Sequence, residues 1–254
     1  MKKILIFLSL ILTINASQVG INEQLGTMIP LDLDFINEEG ERVTLKKLMN
    51  NKPTIISLNY FRCAGVCTPQ LQEMAQLLSH LKLIENRDYK VLTISFLNNE
   101  TPTLAKEKRL THLNSMSRNF NKDAWHFIVS DNNSTSILAK KIGFSYQKII
   151  SNRGSIDYIH PTSLIILSPK GKITRYFYGT KPSIFDIKLA LLEAGNGKVG
   201  ATIEKNLIYC FAYDSKTKKY VFKWEKIVTT IMLFIMLLFF IYLVKTTSKI
   251  NYRS

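Results

Sequence analysis

Hydrophobic and polar residues alternate along this chain with two different periods. In LDLDFINEEGERVTL, the apolar residues Leu31, Leu33 and Phe35 alternate with polar ones before an Asn/Glu/Gly turn, and Val43 and Leu45 follow it. A period of two residues on both sides of a turn predicts a β-hairpin. The short apolar runs TIISLNYF, KVLTISF and WHFIVSD predict three buried strands, and YQKIIS predicts a shorter one.

Segments with helical spacing lie between these runs. The segment that begins at Thr68 carries apolar residues at helical intervals, with Thr68 as its expected cap and Pro69 as its first helical residue. NNETPTLAKEKRLTHLNSM and NSTSILAKKIGF predict two further helices, and a hairpin in TSLIILSPKGKITRYFYG precedes a last helix in SIFDIKLALLEAG. A hairpin, a βαβ crossover and a final ββα unit predict an α/β, thioredoxin-like domain, in which helices flank a central mixed sheet.

The two ends of the chain have a different pattern. Residues 1–17 place two lysines ahead of an apolar run and then small residues, which predicts a secretory signal peptide. Residues 227–244, IVTTIMLFIMLLFFIYLV, are uncharged and long enough for one transmembrane helix. We therefore expect a folded domain at 18–199, a juxtamembrane segment at 200–226 and a cytoplasmic tail at 245–254.

This topology places the domain outside the cytoplasm, most simply in a bacterial periplasm, with a single-pass anchor in the inner membrane. Basic residues in the tail that follows the span agree with a cytoplasmic location for that tail. The formal net charge of +15 does not predict nucleic-acid binding. The lysines are scattered rather than arranged in a stripe with aromatic residues, and export removes the usual partner.

Two of the three cysteines, Cys63 and Cys67, lie in YFRCAGVC, at the turn between a predicted strand and the helix after it. A helix N-terminus favours the thiolate form, so this position favours a functional role for the cysteines over a purely structural disulfide. The three intervening residues are compatible with a redox couple, with two metal ligands and with a structural disulfide. The spacing alone does not decide among them.

A copper site would need more than the two thiolates, which are soft ligands that favour Cu(I). An imidazole could complete a low-coordinate site, and the chain has four histidines. We expect His80 and His112 to be solvated on helices and His126 to be packed or hydrogen-bonded at a strand start. His160, beside Pro161 and directly before a strand, lies in the loop that this fold places opposite the cysteine turn, and it is the expected third ligand.

Several motifs together resemble the Sco/SenC family of copper-binding proteins that assist cytochrome c oxidase assembly. YFRCAGVC is similar to the C-x3-C motif of the family, NETPTLAKEKRLTHL to its E-T-P helix, and DYIHPTSLIILSPKGKI to its histidine strand. The segment before the apolar C-terminus resembles a branch anchored at that end. The resemblance covers nearly all of the exported domain and implies a thioredoxin-like fold that binds one copper ion, Cu(I) or Cu(II), through Cys63, Cys67 and His160.

The resemblance implies a metallochaperone more than an enzyme. Its partner would be the copper-containing subunit of a respiratory cytochrome c oxidase or another copper chaperone. The alternative is a periplasmic thiol-disulfide oxidoreductase, in which Cys63 and Cys67 keep oxidase cysteines reduced and His160 has no part.

The chain departs from the family pattern at two places. Ala64 replaces the proline that commonly follows the first cysteine, and Ile159 stands where an aspartate commonly precedes the histidine. The nearest acidic residue, Asp157, is three positions before His160. The three ligands are retained, but no carboxylate is carried over as an aid to Cu(II) binding or to the orientation of His160. The third cysteine, Cys210, is interpreted as a partly packed free thiol, with copper transfer as the alternative.

Overall fold

The structure, a computed structural model, describes residues 19–62, 67–150 and 156–200 and, beyond them, residues 211–214, 219–222, 228, 232–233 and 235–240. The chain divides into two compact units, Met1–Ile203 and Glu204–Ser254. The first unit contains the predicted domain.

A five-stranded mixed sheet forms the centre of the first unit. Its strands, numbered in chain order, are β4 (Thr54–Asn59), β5 (Lys90–Ser95), β6 (Trp125–Ile128), β10 (Ser163–Leu167) and β11 (Ile173–Tyr178). The spatial order is β11-β10-β4-β5-β6, with β4, β5 and β6 parallel and with β10 antiparallel to both of its neighbours. The three runs expected to be buried strands are therefore neighbours in one sheet.

Helices cover both faces of this sheet. They are α1 (Leu45–Met49), α2 (Cys67–His80), α3 (Pro102–Asn114), α4 (Ser134–Lys141) and α5 (Ile184–Gly195). Along β4, Ile55 packs in one apolar cluster with residues of α2 and α5, whereas Ile56 and Leu58 pack in the other with residues of α1 and α4. Side chains of a strand alternate between faces, so this one strand supplies both cores, and all six of its residues are buried.

Among the described residues, four short pairs of strands lie outside this sheet, three of them in the first unit. They are β1 (Gly20–Ile21) with β7 (Phe144–Ser145), β2 (Asp34–Ile36) with β3 (Arg42–Thr44), and β8 (Gln147–Ile150) with β9 (Ile156–Ile159). The β2–β3 pair is the predicted N-terminal hairpin. The β8–β9 pair leads directly into His160, and its second strand was not predicted.

Two details of the helices differ from expectation. Helix α2 begins at Cys67, so Thr68 and Pro69 lie inside its first turn. Proline is tolerated there because the first N–H groups of a helix have no partner within it. On α3, His112 is buried and only 1% exposed, which corrects the expectation that it is solvated.

The second unit contains β12 (Phe211–Asp214), which pairs with β13 (Lys219–Phe222) in an antiparallel hairpin. Within the expected span at 227–244, the described residues 228, 232–233 and 235–240 are helical. Across the described part of the chain, we find no helix with the length and apolar character to cross a membrane. The expected signal peptide at 1–17, half of the expected span and Cys210 lie outside the described residues, and these features stay predictions.

Candidate metal centre

The three expected ligands are described to different degrees. Cys63 lies outside the described residues, and Cys67 is the first residue of α2, with its side chain outside the description. His160 directly follows β9 and is half-buried. His160 and the residues that flank the cysteine turn therefore mark the position of the candidate site.

The chain enters the cysteine turn at the carboxyl end of a central strand. Strand β4 ends at Asn59, and α2 begins at Cys67. The N-terminal end of a 14-residue helix carries partial positive charge and N–H groups without intrahelical partners, both of which favour a thiolate. A helix start at this position therefore suits a thiolate, which is the form that metal binding and disulfide exchange require.

The imidazole of His160 is held among aromatic rings beside this turn. Its ring centroid lies 5.8 Å from that of Tyr60, 5.1 Å from that of Phe96 and 6.3 Å from that of Phe144. Tyr60 is only three residues before Cys63. The structure therefore places His160 beside Tyr60, which precedes the cysteine turn, although 100 positions separate these two residues in the chain.

A backbone contact orients the ring of His160. Its Nδ1 lies 3.1 Å from the carbonyl oxygen of Pro161. When Nδ1 carries the proton and donates to this oxygen, the ring lone pair is on Nε2. A hydrogen bond from one nitrogen of the ring to a carbonyl is the usual way in which a metal-binding histidine is fixed.

The carboxylate of Asp157 reaches this histidine indirectly. The hydroxyl of Tyr60 donates to Asp157 Oδ1, which also accepts from the backbone N–H of Tyr158 at 2.8 Å. The ring of Tyr60 packs edge-on against the ring of His160. Asp157 thus contacts the tyrosine that packs against His160, and among the described residues no hydrogen bond joins its carboxylate to the imidazole.

Glu100 anchors the chain as it enters the cysteine turn. Its buried carboxylate accepts hydrogen bonds from the backbone N–H of Phe61 at 2.7 Å and of Arg62 at 2.8 Å, and from Ser95 Oγ at 2.6 Å. Glu100 is the first residue of the E-T-P motif, and the sequence alone did not indicate that it contacts the cysteine turn. The sequence feature that could have indicated this role is an acidic side chain directly before a Thr-Pro helix start, in the loop that follows β5.

The other histidines have different surroundings. His80 is exposed, as expected, and Nδ1 of His126 donates to Oε1 of Glu38 at 2.9 Å, so His126 is hydrogen-bonded, also as expected. Burial of Glu38 alone would raise its pKa, but the hydrogen bond and charge of His126 and the charge of Arg109 lower it instead. Burial, and secondarily Lys108, lowers the pKa of His112 to about 4.

Among the described residues, no group of three or more His, Cys, Asp or Glu side chains is arranged to hold a metal ion. Two of the three expected ligands are thiols that are not part of that description. The donor set itself, two cysteines and one oriented histidine, is suited to copper because thiolate and imidazole are both copper ligands.

Comparisons with known proteins agree with this architecture. The chain is 24% identical over 153 residues to the SCO1 protein homolog of Bacillus subtilis, a match that covers 60% of this chain and 75% of that protein. A solved structure from Aquifex aeolicus, described as a candidate electron transfer protein, matches with a TM-score of 0.58 and 24% identity over 68% of this chain and 95% of its own. Arabidopsis thaliana ScoI, solved with copper bound, matches with a TM-score of 0.52 and 18% identity over 67% and 97%.

At these identities the solved structures establish the mixed α/β, thioredoxin-like fold. The family follows from the sequence itself, because the SCO1/SenC family model matches residues 23–188, which is more than half of the chain. That range includes the N-terminal hairpin, the cysteine turn, the E-T-P helix and the histidine strand, so the protein belongs to the SCO1/SenC family.

Proposed function

We propose that this protein binds one copper ion through Cys63, Cys67 and His160 and delivers it to the copper-containing subunit of a respiratory cytochrome c oxidase or to another copper chaperone. The observation that carries the proposal is the position of His160. Its ring packs against Tyr60, which enters the cysteine turn, and its Nδ1 contacts a backbone carbonyl. Membership of the SCO1/SenC family and the copper-bound structure of the related ScoI support it.

The residues of this chain have separate roles in the proposal. Cys63 and Cys67 supply two thiolates, which prefer Cu(I) and account for most of the affinity. His160 completes the donor set with an imidazole. Copper is the cargo, so a neutral ligand that dissociates before the thiolates gives a partner access to the ion.

Location is part of the same proposal. We place residues 18–199 in the periplasm after removal of 1–17, and we place the anchor at 227–244 in the inner membrane with 245–254 in the cytoplasm. The low charge and high hydropathy of 227–244 support this topology. It would hold the copper site on the side of the membrane where thiols meet oxidants.

The same pair of cysteines supports a second function, because a helix N-terminus at Cys67 also activates a thiolate for disulfide exchange. One thiolate would attack a partner disulfide and release one partner thiol. The other would attack the mixed disulfide and release the second thiol, which leaves Cys63 and Cys67 oxidised and the partner reduced by two electrons. His160 has no place in this sequence of steps.

Copper titration separates the two functions. We expect the full-length chain, reduced without oxygen, to bind one Cu(I) per chain in competition with a chromophoric chelator. His160→Ala should weaken binding by more than about 100-fold, because outer partners of metal ligands alone contribute about 10–100-fold. His160→Ala should leave disulfide exchange with glutathione unchanged.

Matched variants control this experiment. His80→Ala removes an exposed histidine of α2 and should keep full affinity, as should Cys210→Ser. Cys63→Ser and Cys67→Ser should each lose the metal. Stoichiometric copper in the double Cys63→Ser, Cys67→Ser variant would refute the site, and a wild-type chain that binds no copper would leave disulfide exchange as the function.

A further inference from the structure

Two buried amide side chains connect the segments that carry the proposed ligands. The Nδ2 of Asn59 donates to Oε1 of Gln70 at 2.9 Å, and the Nε2 of Gln70 donates to the carbonyl oxygen of Ser163 at 3.1 Å. All three residues are at least 97% buried. We call these two hydrogen bonds the Asn59–Gln70–Ser163 link.

Each residue of the link is close in sequence to one expected ligand. Asn59 ends β4 four residues before Cys63, and Gln70 lies in the first turn of α2 three residues after Cys67. Ser163 begins β10 three residues after His160. The link therefore joins the strand before the first cysteine, the helix that starts at the second and the strand after the histidine.

Stability alone is a poor explanation for this link. A buried amide hydrogen bond contributes little net stability, because the same groups bond to water in the unfolded chain. The Oδ1 of Asn59 is buried and has no hydrogen-bond partner among the described residues, which adds a cost. Apolar residues of similar shape would fill these positions at no loss of stability.

Hydrogen bonds do supply direction, which apolar packing does not. The amide of Gln70 has one acceptor and one donor group in use, and they are directed at two different strands. A shift of α2 along or around its axis would break at least one of these bonds. The link thus fixes the start of α2 relative to both β4 and β10.

We infer that Asn59 and Gln70 are positioning residues for the proposed copper site. Their hydrogen bonds fix the first turn of α2 against β4 and β10, and so keep the segments that carry the ligands in place. The inference rests on the proposed function for its copper readout. It has a second readout in the Cys63–Cys67 pair, whose geometry depends on the Asn59–Gln70 bond with or without a metal.

The test uses Gln70→Met, which keeps the length of the side chain and removes both hydrogen bonds. We expect the Cu(I) affinity of the reduced full-length chain to fall by about tenfold or more, the lower range for loss of an outer partner of a metal ligand. The equilibrium of the pair with glutathione should shift several-fold toward the dithiol, because a looser turn lowers the effective concentration of one thiol at the other. The double variant Asn59→Leu, Gln70→Met should lose no more Cu(I) affinity than Gln70→Met alone, since the two residues act as one unit.

Thr174→Val is the matched control. This change is also isosteric, and it removes the buried hydrogen bond from Thr174 Oγ1 to the carbonyl oxygen of Ile166. Thr174 lies in β11, four residues from the register partner of Ser163. It should lower the free energy of unfolding without changing either readout. If Gln70→Met fails to fold, the double variant replaces it, because that variant removes both amide side chains and so leaves neither of them buried without its partner.

The outcomes are distinct. Wild-type affinity and a wild-type glutathione equilibrium in a folded Gln70→Met variant would overturn the inference and leave the link a structural feature only. If the wild-type chain binds no copper, the proposed function fails, and the glutathione equilibrium still decides whether the link positions the cysteines.

Discussion

At the scale of single residues, the candidate site depends on hydrogen bonds made by residues near the expected ligands. Glu100 accepts three of them. Its carboxylate accepts the backbone N–H groups of Phe61 and Arg62, the last two described residues before Cys63. A carboxylate can accept several hydrogen bonds at once and makes stronger ones than a neutral group does. Glu100 therefore restrains the entry to the cysteine turn.

Glu100→Gln should weaken this restraint. The amide has one oxygen to accept with, and its NH2 group would face a backbone N–H. We expect a loss of about 1.5–3 kcal/mol in the free energy of unfolding, which is the range for hydrogen bonds to a charged group. Amide hydrogen exchange should accelerate at Phe61 and Arg62.

Glu107→Gln on the exposed side of α3, the helix that follows Glu100, is the control and should leave that exchange unchanged. Protection of Phe61 and Arg62 equal to the wild type in Glu100→Gln would show that the carboxylate does not hold the turn.

At the scale of elements, periodicity identified the main sheet and its helices because each buries a regular apolar face. It missed β9, since Ile156–Ile159 is short, contains Asp157 and is largely exposed. It placed His112 in solvent because α3 has a mostly polar sequence. The structure shows the imidazole stacked on Phe127, with the ring centroids 6.1 Å apart, and beside Trp125 at 6.3 Å.

Local sequence patterns likewise predict only part of the candidate site. The cysteine turn and His160 could be predicted from the sequence, because a strand-to-helix turn and a loop before a strand are local features. The contacts of Tyr60 with Asp157, of Glu100 with the turn and of Gln70 with Ser163 could not. They join residues between 38 and 97 positions apart, and only the packed fold specifies such pairs.

The buried His112 makes the stability of the domain depend on pH. Its pKa is about 4 in the folded chain, against 6.5 when unperturbed, so between these values the unfolded chain holds the extra proton. Stability is complete above pH 6.5 and is lost as the pH falls toward 4, by about 3 kcal/mol at the lower end. Urea unfolding of the full-length chain at a series of pH values measures this loss.

His112→Phe supplies the control because it keeps an aromatic ring and removes the titrating nitrogen, which also has no partner at Nδ1 among the described residues. The difference in unfolding free energy between wild type and variant should change across this pH window, while the carboxylates common to both cancel. A difference that is constant from pH 7 to pH 4.5 would contradict the account.

At the scale of the whole molecule, the proposal requires that the domain and the tail lie on opposite sides of a membrane. An epitope appended after Ser254 should resist protease added to spheroplasts, while the domain at 18–199 is digested. A chain that ends before residue 227 should appear in the soluble periplasmic fraction. Cleavage of the epitope in intact spheroplasts would reverse the proposed topology.

The central claim is that one copper ion is bound by two cysteines and one histidine that the fold brings together from distant parts of the chain. X-ray absorption spectroscopy of the Cu(I)-loaded full-length protein tests it most directly, because it counts the sulfur and nitrogen neighbours of the metal. We predict two sulfur atoms and one imidazole nitrogen in the wild type and loss of the nitrogen alone in His160→Ala. A site with three sulfur atoms, or an imidazole signal that persists in His160→Ala, would contradict the account.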